Sequence, residues 1–196
     1  MDHPQELDSA IYDYLRADNL LVDGHFAFRS GRHSMALLDR DRLLADPGAA
    51  SRMGYALAKQ FFTAHIETVA APSIWGAGLA QWVAYFLEPR AKVVYATPNS
   101  GVPTIAGNLH DLIAGHRILV IDNLVISGET IARFAELLKE HDGEVIGLGT
   151  LWNSSDPVIA GHKVFGLLNA RIAAYTTDAC PRCRGRGAAD PTAVPY

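Results

Sequence analysis

The sequence predicts an α/β fold with a mainly parallel sheet covered by helices on both faces. Short, fully apolar runs such as ILVI at 118–121 read as buried strands, and between residues 46 and 151 they alternate with segments of helical period. The length of 196 residues and the 49% hydrophobic content suit one domain with one proper core.

The elements follow in order. Leu7, Ile11 and Leu15 recur every four residues in a polar stretch, which predicts an amphipathic helix over 5–17. Over 20–38 the period changes. Phe26 and Phe28 alternate with smaller or polar residues, Ser30-Gly31-Arg32 makes a turn, and a short apolar run at 35–38 completes a hairpin-like unit. Asp46-Pro47-Gly48 opens a helix, since proline suits a first turn, and Met53, Leu57 and Phe61 form its inner face. Then come a strand at 68–71, an apolar helix at 79–87 ended by Pro89, and a strand at 93–96. The stretch TPNSGVPTIAGNLH at 97–110 predicts a long loop of the kind that forms functional lids. A strand at 118–121, a helix at 130–139 and a strand at 145–151 follow, and the end, RCRGRGAADPTAVPY, reads as irregular and poorly ordered. Ligands of such sheets bind outside the carboxyl ends of the strands, which here means the segments 72–78, 97–110 and 122–129.

Composition excludes several classes. A net charge of −4 gives no electrostatic reason to expect nucleic acid or an anionic membrane as partner. No apolar run approaches the roughly 18 residues of a membrane span. The start, MDHPQELDSAIYDYL, lacks a basic segment followed by an apolar one, so no signal peptide is expected. Two cysteines do not make a secreted disulfide scaffold, and the cytosol is the expected compartment.

The segment RILVIDNLVISGETIARFAELLKE carries the most chemistry. An apolar strand ends in Asp122 and Asn123, and a short loop leads through Ile126, Ser127, Gly128, Glu129 and Thr130 into a helix. A helix start offers unpaired N–H groups and partial positive charge, which suits a phosphate. Gly128 permits close backbone approach, Ser127 and Thr130 offer hydroxyls, and Asp122 suits ribose hydroxyls or Mg²⁺. A plain helix cap and turn give the same spacing.

The segment resembles the 5-phosphoribosyl-1-pyrophosphate (PRPP) signature of type I phosphoribosyltransferases: four apolar residues, two acids, two apolar residues and a Thr-Thr-Gly-like phosphate loop. HFAFRSGRHSMALLD at 25–39 is similar to the N-terminal motif of orotate phosphoribosyltransferases, and Cys180-Pro181-Arg182-Cys183 resembles a tail of some bacterial members. The resemblance spans 5–185. It implies the type I phosphoribosyltransferase fold, a central parallel sheet flanked by helices with a small N-terminal hood. The whole chain is then one domain, with helix and hood at 1–45, core at 46–170 and a tail at 171–196. The resemblance also implies Mg²⁺ and a homodimer.

The departures from that pattern share a direction. Asn123 replaces the second acid, and Ile126 takes the first hydroxyl position of the loop. The lid at 97–110 has no Lys or Arg, where relatives place Lys, Arg and His to stabilise departing pyrophosphate. Trp75 stands where many relatives have Lys, and Leu151-Trp152-Asn153 replaces the Asp-Arg pair that holds orotate. The resemblance therefore implies a divergent member that binds PRPP or a nucleotide and acts on an acceptor other than orotate or by an altered mechanism. The alternative is a catalytically silent regulatory or partner subunit. Asp122 and Asn123 are the candidate catalytic residues and 126–130 the phosphate site. Ser73, Trp75, Gly76 and Arg29 form the pyrophosphate side, and Arg32, Trp152 and Asn153 the base side.

Trp75 and Trp152 together could line an apolar base pocket, although aromatics near strand ends are more often core. One CxxC supplies two ligands where structural zinc takes four. His162 or a dimer mate would have to complete the set, so no metal site is assigned and a disulfide or plain turn is expected. His33 and His110 are the remaining candidate histidines.

Overall fold

The computed structural model describes residues 4–28, 31–99, 102–155, 157–169, 174–184 and 190–194. The first half of the chain forms α1 (Pro4–Ala17), β1 (Leu21–Ala27), β2 (His33–Leu38), α2 (Arg40–Ala45), α3 (Pro47–Gln60), β3 (Thr68–Ala71), α4 (Ile74–Phe86) and β4 (Lys92–Tyr95). Then follow β5 (Thr97–Asn99), β6 (Val102–Thr104), a 3-10 turn (Gly107–Leu112), β7 (Arg117–Val125), α5 (Glu129–Glu140) and β8 (Glu144–Asn153). The chain closes with β9 (Val158–Ile159), β10 (His162–Asn169), β11 (Ala174–Tyr175), a second 3-10 turn (Thr177–Ala179), α6 (Pro181–Arg184) and β12 (Thr192–Ala193). It divides into two compact units, Leu43–Ala170 and Met1–Arg42 with Arg171–Tyr196.

The larger unit is built on a six-stranded sheet of order β4-β3-β7-β8-β10-β9. The first five strands are parallel, and β9 is an antiparallel edge. Alternation along β7 covers both faces. Ile118 and Val120 point into a core with Ile131, Phe134, Ala135 and Leu138 of α5. On the other face, the spaces beside Gly147 and Gly149 are taken by Phe61, Leu57, Leu119 and Ile121. Helix α3 starts as expected: the Asp46 carboxylate accepts from the amides of Gly48 at 2.8 Å and Ala49 at 3.3 Å, with Pro47 in the first turn.

Three expectations change here. Helix α4 begins at Ile74, not at 79, so 74–78 is helix and not loop. Gly76 resembles a loop glycine in sequence, but a Cβ there would lie 3.3 Å from both Ala71 Cβ and the Ile121 carbonyl oxygen. The glycine serves close packing of the first helical turn on the sheet. The stretch 97–110 is not an irregular loop: β5 and β6 pair as an antiparallel ribbon and a 3-10 turn follows. A two-stranded ribbon has only edges, where Pro98 and Pro103 are tolerated. Strand β7 continues to Val125, because Leu124 and Val125 pair with Trp152 and Asn153 of β8. The connection to α5 is therefore 126–128 only.

The smaller unit carries a four-stranded sheet of order β11-β2-β1-β12. Its hairpin turn uses Gly31 at φ +72°, in the left-handed region that glycine enters freely. Arg16 pairs with Asp23 and donates to the Tyr12 hydroxyl at 3.0 Å and 3.1 Å. The hydrogen bond that Arg16 donates to Asp23 holds the Asp23 carboxyl below the usual carboxylate range. The described part of the tail departs from the irregular reading. Strand β12 pairs in parallel with β1, and Val194 packs with Phe26 and Phe28. Three residues, Thr192 to Val194, are too few to show a period. Cys180 and Cys183 are unbridged thiols, so of the two alternatives, a disulfide or a plain turn, the disulfide is not formed. Among the described residues, no helix is long and apolar enough to cross a membrane.

Candidate functional site

The site gathers at the carboxyl ends of β3, β7 and β8. Strand β7 turns Asp122 to a half-buried position and Asn123 inward, with none of its surface exposed. The Asn123 amide N–H donates to Asp122 Oδ1 at 2.8 Å, and its Nδ2 donates to the Trp75 carbonyl at 2.7 Å. The second contact ties the first turn of α4 to the end of the central strand. A carboxylate at 123 could not donate this bond, which accounts physically for an amide at the second acidic position of the PRPP signature. Asn123 Oδ1 is buried without a hydrogen-bond partner.

Asp122 also lies close to α4: Oδ1 is 3.5 Å from where a Cβ on Gly76 would sit. Gly76 thus lets the start of α4 approach the acid. Ser73 occupies the N-cap position in extended conformation, and its side chain makes no capping bond. Trp75 is 55% exposed on the first turn.

The phosphate-loop candidates form the β7–α5 connection. Ile126 and Ser127 are exposed, and Gly128 adopts φ +82° at the N-cap of α5. Its αL conformation turns the chain into the helix, whose first amides have no partner within the helix. The Ser127 hydroxyl accepts from the Glu129 amide at a long 3.4 Å, so capping is part of its role. Thr130 is exposed, and Glu129 pairs along the helix with Arg133. A side chain at 128 would press on Pro157 and Ile159, at 3.0–3.2 Å. Those two residues set the shape of the loop and were not singled out from sequence, because they lie 29 and 31 positions further on.

Trp152 and Asn153 are buried, at 4% and 3% exposure. The Asn153 amide donates to the Val164 carbonyl at 3.2 Å, and the Thr150 hydroxyl donates to the Trp152 carbonyl at 3.3 Å. The two tryptophans therefore sit in opposite settings, Trp75 open and Trp152 in the core. Arg29 lies outside the described residues, and Arg32 is exposed on the smaller unit. His110, in the 3-10 turn, stacks on His141 with ring centroids 4.1 Å apart. The segments 72–78, 97–110 and 122–129 contain no Lys or Arg.

Comparison with known proteins gives the chain its family. Residues 49–165 match the family "Phosphoribosyl transferase domain". The chain is 30% identical over 179 residues to an orotate phosphoribosyltransferase of Thermus thermophilus, covering 89% of this chain and 94% of the relative. It is 29% identical over 175 residues to the orotate phosphoribosyltransferase of Thermotoga maritima, covering 89% and 92%. Among solved structures, orotate phosphoribosyltransferase of Mycobacterium tuberculosis superposes with a TM-score of 0.66 at 15% identity, over 83% of this chain and 95% of that one. A phosphoribosyltransferase of Corynebacterium diphtheriae gives 0.65 at 17% identity, with the same coverage. With a family match over more than half its length and curated relatives at 30% identity along nearly all of it, this chain belongs to the type I phosphoribosyltransferase family, close to the orotate phosphoribosyltransferases.

Proposed function

We propose that this protein binds a phosphoribosyl compound, PRPP or a nucleotide, and transfers the phosphoribosyl group to an acceptor other than orotate or by an altered mechanism. The observation that carries the reading is Gly128 at φ +82°, flanked by Ser127 and Thr130 at the start of α5, one turn of chain beyond Asp122. The amides and hydroxyls of 127–130 bind the 5′-phosphate. Asp122 accepts hydrogen bonds from the ribose hydroxyls. Asn123 positions the first turn of α4, where Ser73, Trp75 and Gly76 face the pyrophosphate side. A nitrogen or other nucleophile attacks the anomeric carbon as the carbon–pyrophosphate bond breaks.

Mg²⁺ takes one or two carboxylates plus substrate oxygens, and the Asp122 carboxylate with the ligand's own hydroxyls meets that minimum. When bound, the ion neutralises charge on the departing pyrophosphate. The missing lid cations matter more, since each lost charge-stabilising donor costs about 2.7–4 kcal/mol, or roughly 100- to 1000-fold in rate. In a homodimer, the arrangement that the family resemblance supports, a second copy can supply a cation. The mild net charge of −4 supports a protein with neither nucleic acid nor an anionic membrane as partner, and a cysteine count of two suits the cytoplasm.

The cation-free segments favour a second reading, a catalytically silent binding subunit. Calorimetric titration with Mg·PRPP and with ribose 5-phosphate, followed by pyrophosphate release across an acceptor panel that includes orotate, separates the two. Binding of both ligands with turnover on a non-orotate acceptor is expected, and Asp122→Asn and Gly128→Val should abolish it. Binding without pyrophosphate release on any acceptor leaves the silent subunit, and brisk turnover of orotate removes the non-orotate acceptor. If neither ligand binds, the phosphoribosyl reading is wrong.

A further inference from the structure

Four metal-ligating atoms converge in the smaller unit, on residues that the phosphoribosyl reading does not use for its chemistry. His25 lies on β1 and His33 on β2. His33 is the register partner of Ala27, His25 lies in the irregular stretch of β1 between Asp23 and Phe26, and the two imidazoles meet edge to face with ring centroids 5.1 Å apart. Cys180 follows the second 3-10 turn and Cys183 lies in α6. His33 and Cys180 are buried, and His25 and Cys183 are half-buried.

The distances describe a polyhedron. His25 Nε2 is 3.1 Å from His33 Nδ1, 3.4 Å from Cys180 Sγ and 3.5 Å from Cys183 Sγ, and His33 Nδ1 is 3.2 Å from Cys183 Sγ. All four atoms lie within 4.8 Å of one another. A tetrahedron with zinc–nitrogen bonds of about 2.05 Å and zinc–sulfur bonds of about 2.3 Å has edges of about 3.3 Å between nitrogens, 3.6 Å between nitrogen and sulfur and 3.8 Å between sulfurs. The four edges named fall close below these, and the other two stay within 4.8 Å. Hydrogen bonding alone does not explain the cluster, because the single site on His25 Nε2 cannot serve three partners at once. We propose that His25 Nε2, His33 Nδ1, Cys180 Sγ and Cys183 Sγ form a structural zinc site.

The ligand chemistry selects the ion. Two thiolates and two imidazoles in tetrahedral array suit Zn²⁺, and the two thiolate charges neutralise it. Four protein ligands close the site, which makes it structural and not catalytic. It joins a hairpin near one end of the chain to a turn 150 residues later, beside the pairing of Tyr175 with His33. The site does not depend on the transferase reading, since it lies in the other unit.

The test is metal analysis of the full chain purified under reducing conditions, together with cobalt titration of the zinc-stripped protein. About one zinc per chain is expected, and Co²⁺ should give the thiolate charge-transfer and intense ligand-field bands of a tetrahedral site. His25→Ala should weaken zinc binding by at least about 100-fold and change the cobalt spectrum, since loss of a ligand exceeds the cost of losing an outer partner. The cobalt spectrum of the unaltered chain decides the matter even if variants fail to fold. A metal-free protein with no tetrahedral cobalt spectrum overturns the proposal. So does a Cys180–Cys183 disulfide in freshly purified protein, or a His25→Ala variant that holds zinc as tightly as the parent.

Discussion

Gly128 and Gly161 form a natural controlled pair. Both adopt φ +82°, but a Cβ on Gly161 meets nothing within 4 Å, whereas one on Gly128 meets Pro157 Cγ at 3.0 Å, Pro157 Cβ at 3.1 Å and Ile159 Cδ1 at 3.2 Å. Alanine in this backbone region costs about 1–2 kcal/mol. Restriction of the unfolded chain returns about 0.4–1 kcal/mol. Gly161→Ala should therefore lose about 1 kcal/mol net, or about 2–4 °C in melting temperature at this chain length. Gly128→Ala carries the same strain plus crowding: Ile159 can rotate away, but the Pro157 ring is stiff. Overpacking adds about 1–3 kcal/mol, so the total comes to about 2–4 kcal/mol. Urea unfolding followed by tryptophan fluorescence reads the difference, since Trp75, Trp82 and Trp152 all lie in the larger unit. The second readout is ribose 5-phosphate binding, which Gly128→Ala should weaken and Gly161→Ala should leave unchanged. Equal stability losses would refute the crowding argument. Unchanged binding in Gly128→Ala would refute the placement of the phosphate.

Phe134, fully buried between α5 and the sheet, should cost about 3–5 kcal/mol when changed to Ala, read as a fall in the urea midpoint. Asn123→Asp replaces a donor to the Trp75 carbonyl with a buried carboxylate, and should lose about 1–3 kcal/mol at neutral pH. Burial and the facing carbonyl raise the new carboxyl's folded pKa above its unfolded value. The variant should therefore regain stability as pH falls and lose it as pH rises, which urea midpoints across that range check. Asp23 behaves in the opposite sense: Arg16 lowers its folded pKa, so its contribution is present above the unfolded carboxyl pKa and is lost as pH falls through the folded one. Asp23→Asn should show faster amide exchange in β1 at neutral pH and converge with the parent in acid.

Much of the larger unit was legible because its signals are local. The Asp46-Pro47 start of α3, the ILVI run of β7 and the amphipathic period of α5 each lie within one window of sequence. Where the reading failed, a residue's partner was distant. Gly76 looks like a loop residue until Ala71 and Ile121 are seen against it, and the end of β7 depends on pairing with Trp152 and Asn153. Within the site, Asp122 and the 127–130 turn were readable from spacing. The bond from Asn123 to Trp75 was not, because sequence shows which residues lack a charge but not what holds their amides. The histidine–cysteine cluster was half legible: the CxxC has ligand spacing, but the histidines that complete it come from far earlier in the chain.

The outer strands of the smaller unit have a consequence for synthesis. Strand β2 waits for Tyr175 and β1 for Thr192, whereas every strand partner in the six-stranded sheet is supplied between residues 68 and 169. On a ribosome the β1–β2 hairpin emerges before the larger unit but is completed only after that unit has all its strands. A stop codon after residue 190 would remove the partner of Phe26 and leave Phe26 and Phe28 without Val194, while every strand of the larger unit would still be made. Residues 192–194 thus decide whether a hairpin made about 160 residues earlier becomes part of a finished sheet.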